Sequence, residues 1–236
     1  AILNEAEKPF ILARQGALDA GGELVEMAEK LGAPIGKALL GKGAVPDRSD
    51  YTTGGVGLLG TRASQDALEG CDTLLIVGSS FPYIEFYPKP GAARAVQIEI
   101  DPKRIGLRYP VEAGLVGDSR AVLRELLPLV RRNENRGFLQ DARKSMGAWR
   151  DLMEERGTRT DTPMKPQVVT HTLNTLVDDD AIIVTDSGTI TTWVARHIDM
   201  RGTMMFSCSG TLATMACGIG YAIAAAVAFP ERQVVA

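Results

Sequence analysis

The chain has 236 residues, of which 45% are hydrophobic and 23% are charged, and its formal net charge at pH 7 is -3. This composition is ordinary for a globular protein, and the length allows one large domain or two small ones. No block of basic residues is present, so a nucleic-acid-binding surface or an anionic-membrane surface is not expected.

The cysteines and the apolar runs further restrict the class of protein. Cys71, Cys208 and Cys217 show no CxxC spacing, which disfavours a disulfide framework or a metal site and favours a cytoplasmic location. The longest apolar run, 219–229, is too short to span a bilayer and predicts a buried helix. Charged residues among the first eight positions interrupt any apolar core there, so no signal peptide is expected.

Strands and helices alternate over the first 130 residues. Short apolar runs predict strands at 10–13, 34–40, 73–77 and 95–100. Between the first two, apolar residues recur at helical spacing from Leu24 to Leu31, and Gly32 predicts the end of that helix. A further helix is predicted over 121–127, capped by Ser119.

The composition changes between residues 131 and 163. Apolar positions in 138–153 keep helical spacing within a charged segment, which predicts a surface helix lying across the first domain. The polar stretch 157–163 is the predicted linker. These boundaries give a first domain (1–132), a helical linker (133–163) and a second α/β unit (164–236).

The second unit repeats the alternation. A helix is predicted from Pro166 to about Val177, a strand over 181–185, and another helix from near Gly188. Residues 233–236 have the pattern of the middle of a core strand, so part of the protein is expected to be missing. We predict an α/β fold with two doubly wound, Rossmann-like parallel sheets, the second one incomplete.

Several segments of the first domain could form a dinucleotide-binding site. In the glycine-dense stretch 54–60, backbone amides could approach a phosphate or a flat ring. Residues 79–83 and Glu99 follow or end predicted strands, where a carboxylate could accept hydrogen bonds from a ribose diol, and Asp118 could face an adenine. Each feature alone has a structural interpretation, but all would lie along one edge of the sheet.

In the second unit, residues 186–189 (DSGT) are expected to cap a helix. They could be a plain N-cap or could hold a diphosphate at the helix N-terminus. Met215, between small residues, could be core filler or a wedge beneath a bound cofactor. The residues alone do not decide between these alternatives. His171 and His197 have no neighbouring catalytic partner and are interpreted as structural.

This ordered set of motifs resembles the thiamine diphosphate (ThDP)-dependent enzymes of the pyruvate oxidase and acetolactate synthase group. The likeness is carried by 54–60, by FPY and FYP at 81–83 and 86–88, by 97–101, by VGD at 116–118, and by the second-unit segments above. Members of this group have three α/β domains. Residues 1–132 resemble the central, FAD-type domain, and 164–236 resemble the opening half of the diphosphate-binding domain.

The resemblance implies cofactor contacts residue by residue. The implied FAD contacts are Val56, Gly57, Leu58, Leu59, Ser79, Ser80, Phe81, Pro82, Tyr83, Glu99 and Asp118. The implied ThDP contacts are Ser187, Gly188, Thr189, Ala213, Thr214 and Met215. Glu99 replaces the commoner aspartate, and Met215 would support the bent form of the cofactor. The Mg²⁺ ligands are expected just beyond Ala236 and the activating glutamate in an absent N-terminal domain, so no catalytic residue or metal ligand is assigned.

The implied activity is decarboxylation of pyruvate or a similar 2-oxo acid, with oxidation of the resulting enamine through FAD to a quinone or oxygen. The aromatic residues at 81–88 favour this over an acetolactate synthase-like carboligase in which FAD is structural. A non-catalytic nucleotide-binding module would explain the first 130 residues but leaves Asp186 and Met215 without a role. The intact protein is expected to be a homodimer or homotetramer, and this chain alone is expected to be inactive.

Overall fold

A computed structural model describes all 236 residues of the chain. The chain divides into two compact units, one made of Ala1–Val45 and Ser49–Gly147, the other of Pro46–Arg48 and Ala148–Ala236. Each unit contains one sheet, and every strand pair in both sheets is parallel. The predicted α/β class with two parallel sheets is therefore confirmed.

The first unit has a six-stranded sheet in the order β3-β2-β1-β4-β5-β6. Its strands are β1 (Pro9–Ala13), β2 (Ile35–Lys37), β3 (Thr52–Gly55), β4 (Thr73–Val77), β5 (Arg94–Glu99) and β6 (Ala113–Val116). Its first three helices are α1 (Gly21–Leu31), α2 (Arg62–Gly70) and α3 (Ser119–Leu126). This order is that of a doubly wound fold, in which the chain winds outward from the centre of the sheet in both directions.

Both faces of this sheet are covered, which is why its central strands are apolar at every position. All five residues of β1 and of β4 are buried. Alternate side chains enter different cores, because successive residues of a strand face opposite sides. Ile11 lies in the core that contains Leu24 of α1, and Phe10 lies in the core that contains Leu68 of α2. Burial of this apolar surface is the main stabilising contribution to the unit.

The helix ends show which local predictions were right. Gly32 adopts a left-handed conformation after α1, and its N–H donates to the carbonyl of Ala28, which confirms the predicted helix end. The predicted cap of α3 was wrong. Asp118 is the N-cap residue and its carboxylate accepts a hydrogen bond from the Ala121 N–H at 3.0 Å. Ser119 is instead a buried residue inside the first turn.

Two strand predictions also need correction. The strand predicted over 34–40 ends at Lys37, and a 3₁₀ helix follows at Leu39–Gly41. The buried Lys37 ammonium donates to the carbonyls of Lys42 and Val45, which follow this turn, at 2.8 and 2.6 Å. The first two glycines of the predicted 54–60 loop belong to β3, which sequence patterns did not identify because its residues are TTGG.

The second unit has a three-stranded sheet in the order β8-β7-β9. Its strands are β7 (Ile182–Thr185), β8 (Met205–Cys208) and β9 (Val234–Val235), and its helices are α5 (Pro166–Leu176), α6 (Thr189–His197) and α7 (Cys217–Ala228). The remaining helix, α4 (Gly137–Gly157), is divided between the units after Gly147. Its predicted place across the first domain therefore holds only for its first half.

The helix predicted over 219–229 forms as α7, but the prediction that it is buried was wrong. Ile219, Ile223 and Val227 are exposed, with Ile223 at 62%, and Gly218 is the buried residue of the helix. The physical reason is that α7 contacts a sheet of only three strands, which covers one side of the helix. None of the helices combines the length and the apolar character that crossing a bilayer requires.

Candidate functional site

The first candidate site is the carboxyl edge of the six-stranded sheet, where β1 and β4 are neighbours. The chain leaves these two strands in opposite directions, and such a point opens a crevice that binds ligands in doubly wound sheets. Gly16 and Gly78 meet there. The Gly16 N–H donates to the Gly78 carbonyl at 3.1 Å, and a Cβ on Gly16 would lie 2.8 Å from the Gly78 Cα. The backbone is therefore the floor of this edge.

Charged side chains surround this floor. Arg14 directly follows β1, Glu99 ends β5, and Arg104 lies in a 3₁₀ helix after β5. Burial lowers the pKa of the Arg14 guanidinium, the nearby Arg104 lowers it further, and Tyr87 and Glu99 act in the opposite sense. These four groups are thus close enough to interact electrostatically. Sequence reasoning missed both arginines, although a basic residue directly after an apolar strand was a usable signal.

Gln97, in the middle of β5, organises the loops of this edge. Its side-chain amide donates to the carbonyls of Ser79 at 3.3 Å and of Arg104 at 3.2 Å. Its side-chain oxygen accepts a hydrogen bond from the Gly106 N–H at 2.9 Å. Gln97 is buried, so these partners satisfy polar atoms that would otherwise be costly to bury.

The predicted segments 56–59 and 79–83 lie together. A Cβ on Gly57, which has a positive φ, would be 2.7 Å from the Phe81 ring, and Val56 shares an apolar core with Phe81. Leu58 is 76% exposed, and Tyr83, also exposed, makes an edge-on contact with Phe81 at 5.5 Å between centroids. The two loops therefore form one surface with a buried base and exposed apolar side chains.

The other predicted residues of this edge have defined surroundings. Ser79 is buried and its hydroxyl accepts from the Phe81 N–H at 3.3 Å. Glu99 is buried, and one of its carboxylate oxygens accepts from the Ile100 N–H at 3.1 Å. Asp118 is exposed and engaged as the cap of α3. The remaining predicted residues are partly or fully exposed: Leu59, Ser80 and Pro82.

The second candidate site is the carboxyl edge of the smaller sheet, where the ends of β7 and β8 meet. The Ser187 hydroxyl donates to the Ser209 carbonyl at 3.2 Å. The Ser209 hydroxyl in turn accepts from the Thr214 N–H at 3.0 Å. The predicted segments 187–189 and 213–215, more than twenty residues apart in sequence, are thereby brought to one edge.

Asp186 links the same two regions, in a way that corrects the predicted helix cap. Its carboxylate accepts hydrogen bonds from the Ala216 N–H at 2.9 Å and the Gly218 N–H at 2.8 Å, at the start of α7. These hydrogen bonds lower the pKa of Asp186, and the one from Gly218 has the largest effect. Helix α6, which follows Asp186 in sequence, has Gly188 at its N-cap and no side-chain cap. The acidic residue at the end of β7 thus caps α7, because the start of α7 lies beside it in space.

This second edge is open. No heavy atom lies within 4 Å of where a Cβ on Gly188 would stand, apart from its chain neighbours. Thr189, Ala213 and Thr214 are exposed, and Met215 is 79% exposed. Met215 is therefore not packed in the apolar core of this unit. Neither 186–189 nor 209–216 contains a lysine or an arginine.

The fold and these two edges match a defined class of protein. The family described as "Thiamine pyrophosphate enzyme, central domain" matches residues 1–126. The family described as "Thiamine pyrophosphate enzyme, C-terminal TPP binding domain" matches residues 186–236. The chain belongs to the thiamine pyrophosphate enzyme family, which confirms the resemblance inferred from its motifs.

Individual relatives cover nearly all of this chain. The "Putative thiamine pyrophosphate-containing protein YdaP" of Bacillus subtilis is 44% identical over 234 residues, which are 99% of this chain and 40% of the relative. A pyruvate oxidase of Lactiplantibacillus plantarum is 30% identical over 97% of this chain and 38% of its own length.

An acetolactate synthase of Mycobacterium bovis is 29% identical over 98% of this chain and 40% of its own length. The chain thus spans about two fifths of the length of the curated relatives that it matches. Identity to the oxidase and to the synthase is nearly equal, so identity alone does not separate the two activities.

Proposed function

We propose that this chain forms part of a ThDP- and Mg²⁺-dependent enzyme that acts on a 2-oxo acid, with pyruvate as the first candidate substrate. The observation that carries this proposal is the meeting of residues 187–189 and 213–215 at one open edge of a parallel sheet. These two segments are distant in sequence, yet they form one surface that a single ligand could occupy. Family membership supports the same cofactor.

The open edge of the second sheet fits ThDP. The Thr189 hydroxyl and the backbone amides of Ser187 and Thr189 would hold the diphosphate, with Gly188 leaving room for its approach. Met215 would present its exposed apolar side chain to the flat rings. Because these segments contain no cationic side chain, binding together with Mg²⁺ suits the charge of a diphosphate. ThDP, when bound, supplies the electron sink that lets a 2-oxo acid lose CO₂.

The edge of the first sheet fits a flavin dinucleotide. Arg14 and Arg104 would face the pyrophosphate, which would lie over the close backbone contact between Gly16 and Gly78. Glu99 would accept hydrogen bonds from a ribose diol. Leu58 and Tyr83, exposed above the buried Phe81, would cover a flat ring system. We propose FAD as the occupant.

We propose further that the enzyme is an oxidase that passes electrons from the substrate through FAD to a quinone or oxygen. Support comes from the aromatic residues beside the proposed flavin site. The Phe81 ring lies 5.5 to 6.4 Å, between centroids, from the rings of Tyr83, Phe86 and Tyr87. The alternative is an acetolactate synthase-like carboligase, which the 29% identical relative supports. In either case we propose a homo-oligomeric intact enzyme.

Two measurements on the full-length protein test these proposals. Calorimetric titration with ThDP and Mg²⁺ should show saturable binding, and an absence of binding would leave only the nucleotide-binding module. Pyruvate added without oxygen should bleach the flavin absorbance if the enzyme is an oxidase. A flavin that stays oxidised while acetolactate accumulates would establish the carboligase instead.

A further inference from the structure

The loop between β8 and α7 holds two alanines in a conformation that side chains disfavour. Ala213 has a φ of 52° and Ala216 a φ of 60°, and they are the two non-glycine residues of the chain with positive φ. They flank Thr214 and Met215, the segment proposed to lie against ThDP. A left-handed residue with a Cβ is strained, and such strain persists only where the surroundings enforce it.

Two anchors enforce this conformation, one at each end of the loop. At the first end, Ser209 accepts two hydrogen bonds from the loop itself: its carbonyl from the Ala213 N–H at 2.9 Å and its hydroxyl from the Thr214 N–H at 3.0 Å. At the second end, the Asp186 carboxylate accepts from the N–H groups of Ala216 at 2.9 Å and Gly218 at 2.8 Å. Residues 213–216 therefore have little freedom to rearrange.

The anchor at Asp186 is the stronger of the two on physical grounds. Hydrogen bonds to a carboxylate are shorter and stronger than those to a neutral acceptor. A negative charge is also stabilised at the N-terminus of a helix, and α7 has 12 residues. Asp186 directly follows β7, thirty positions before Ala216, so its hydrogen bonds fix the loop relative to the sheet.

We propose that Asp186 is a positioning residue: it holds the left-handed turn at Ala216 and thereby sets where Thr214 and Met215 meet the cofactor. This inference rests on the proposed function, since it assumes that ThDP lies on this segment. Asp186 binds the amides of α7 and not the reacting atoms, so its effect on the reaction passes through Met215.

The matched variants are Asp186→Asn and Asp180→Asn in the full-length enzyme. Asparagine loses the negative charge and replaces one acceptor oxygen by an NH₂ group, which faces an N–H donor. Asp180 is an exposed residue just before β7 whose substitution controls for the loss of one acidic charge in the same unit.

Amide hydrogen exchange of residues 213–218, measured without cofactor, shows whether the Asp186 anchor holds the loop. We expect at least tenfold faster exchange in D186N and no change in D180N. In the cofactor-loaded D186N enzyme we expect the dissociation constant for ThDP to rise about tenfold. The kcat should fall by a larger factor than the KM for pyruvate changes. The near-ultraviolet circular dichroism of the bound cofactor should be altered. A merely structural role would leave that spectrum unchanged.

The double variant D186N/A216G adds a rescue test. Glycine adopts a positive φ without the steric cost, so a loop that has lost its anchor should recover at least threefold in ThDP affinity. If D186N does not fold, Ser209→Ala, which removes one acceptor of the other anchor, should show the same changes at smaller amplitude.

The outcomes separate the two proposals. If D186N matches D180N in exchange, cofactor spectrum and kcat, the positioning role is wrong. If the wild-type protein does not bind ThDP, the proposed function is wrong, while faster exchange in D186N would still establish Asp186 as the anchor of the loop.

Discussion

The two units use the same alternation of strands and helices but differ in how their candidate ligand-binding edges are built. In the first unit, six strands are covered on both faces, and the edge has a crowded glycine floor with Arg14 and Arg104 beside it. In the second, the sheet has three strands, α7 exposes much of its apolar surface, and the edge is open. The first edge is fixed by close backbone packing, whereas the second depends on individual hydrogen bonds such as those of Asp186.

The largest effect should come from crowding at the first edge. Gly78→Ala should lower the free energy of unfolding of the first unit by more than about 4 kcal/mol, because a Cβ there would overlap the backbone of Gly16. The control is Gly91→Ala, also at positive φ but with nothing within 4 Å of the added Cβ. It should lose only about 1–2 kcal/mol from the left-handed conformation. Equal losses in urea denaturation would show that crowding is unimportant.

The helices of the two units should respond differently to truncation. Leu24→Ala in α1 removes a side chain that is 0% exposed and should cost about 3 kcal/mol. Ile223→Ala in α7 removes one that is 62% exposed and should cost within about 0.5 kcal/mol. Denaturant titration of both variants checks this, and a large loss from Ile223→Ala would mean that α7 is covered in solution.

Acid should weaken the second unit through His197. Burial is the main cause that lowers the pKa of His197 to about 4; nearby His171, Arg196 and Arg156 contribute in the same sense, and Asp199 opposes them. Its Nδ1 has no hydrogen-bond partner. The His197 imidazole is protonated near pH 6.5 in the unfolded chain but only near pH 4 in the folded protein. The stability that depends on neutral His197 is therefore present above pH 6.5 and falls by about 3 kcal/mol as the pH drops to about 4.

Urea denaturation of the protein at pH 7.5 and pH 4.5 measures this loss. His197→Gln should remove most of the difference between the two pH values, and His171→Gln should retain most of it. If His197→Gln leaves the pH dependence intact, carboxylates and not this imidazole cause the acid sensitivity.

The charge of the first edge should be visible in nucleotide binding. Arg14→Gln should weaken FAD binding by about tenfold and reduce its salt dependence, because one cation beside the proposed pyrophosphate is lost. Arg62→Gln, which removes an exposed arginine paired with Asp66 on α2, is the control and should bind like wild type. Unchanged affinity in Arg14→Gln would place the nucleotide elsewhere.

The smallest effect concerns thiol reactivity. Burial raises the pKa of Cys71 to about 12 and of Cys208 to about 11, so neither should react readily at pH 8. Cys217, partly exposed at the start of α7, should be the one cysteine that a thiol reagent modifies quickly. Cys217→Ser should abolish the fast phase. A second fast thiol would show that one of the cores opens.

Much of this fold could be predicted from the sequence because its central strands are continuous apolar runs. Strands β1 and β4 were identified within their bounds, and Gly32 marked the end of α1. The strand β3 was not, since TTGG has no apolar signal and depends on pairing with β2. The exposure of α7 was mispredicted for a related reason: an apolar helix is buried only when neighbouring elements cover it.

The candidate sites were partly predictable. Glycine-rich and hydroxyl-rich segments at strand ends pointed to both edges, and the structure brings 187–189 and 213–215 together. The capping of α7 by Asp186 could not be foreseen, because its partners come thirty positions later in the chain. The role of Gln97 was likewise hidden, since its three partners belong to loops whose arrangement no local pattern encodes.

Gln97 also limits how the first edge can be redesigned. Its side chain donates hydrogen bonds to two carbonyls and accepts one from a backbone N–H, and only a carboxamide of that length does both. Glutamate would bring two acceptors to carbonyls that need donors, and methionine would satisfy none of the partners. Efforts to redesign the first edge should therefore vary the residues around position 97 while leaving that glutamine in place.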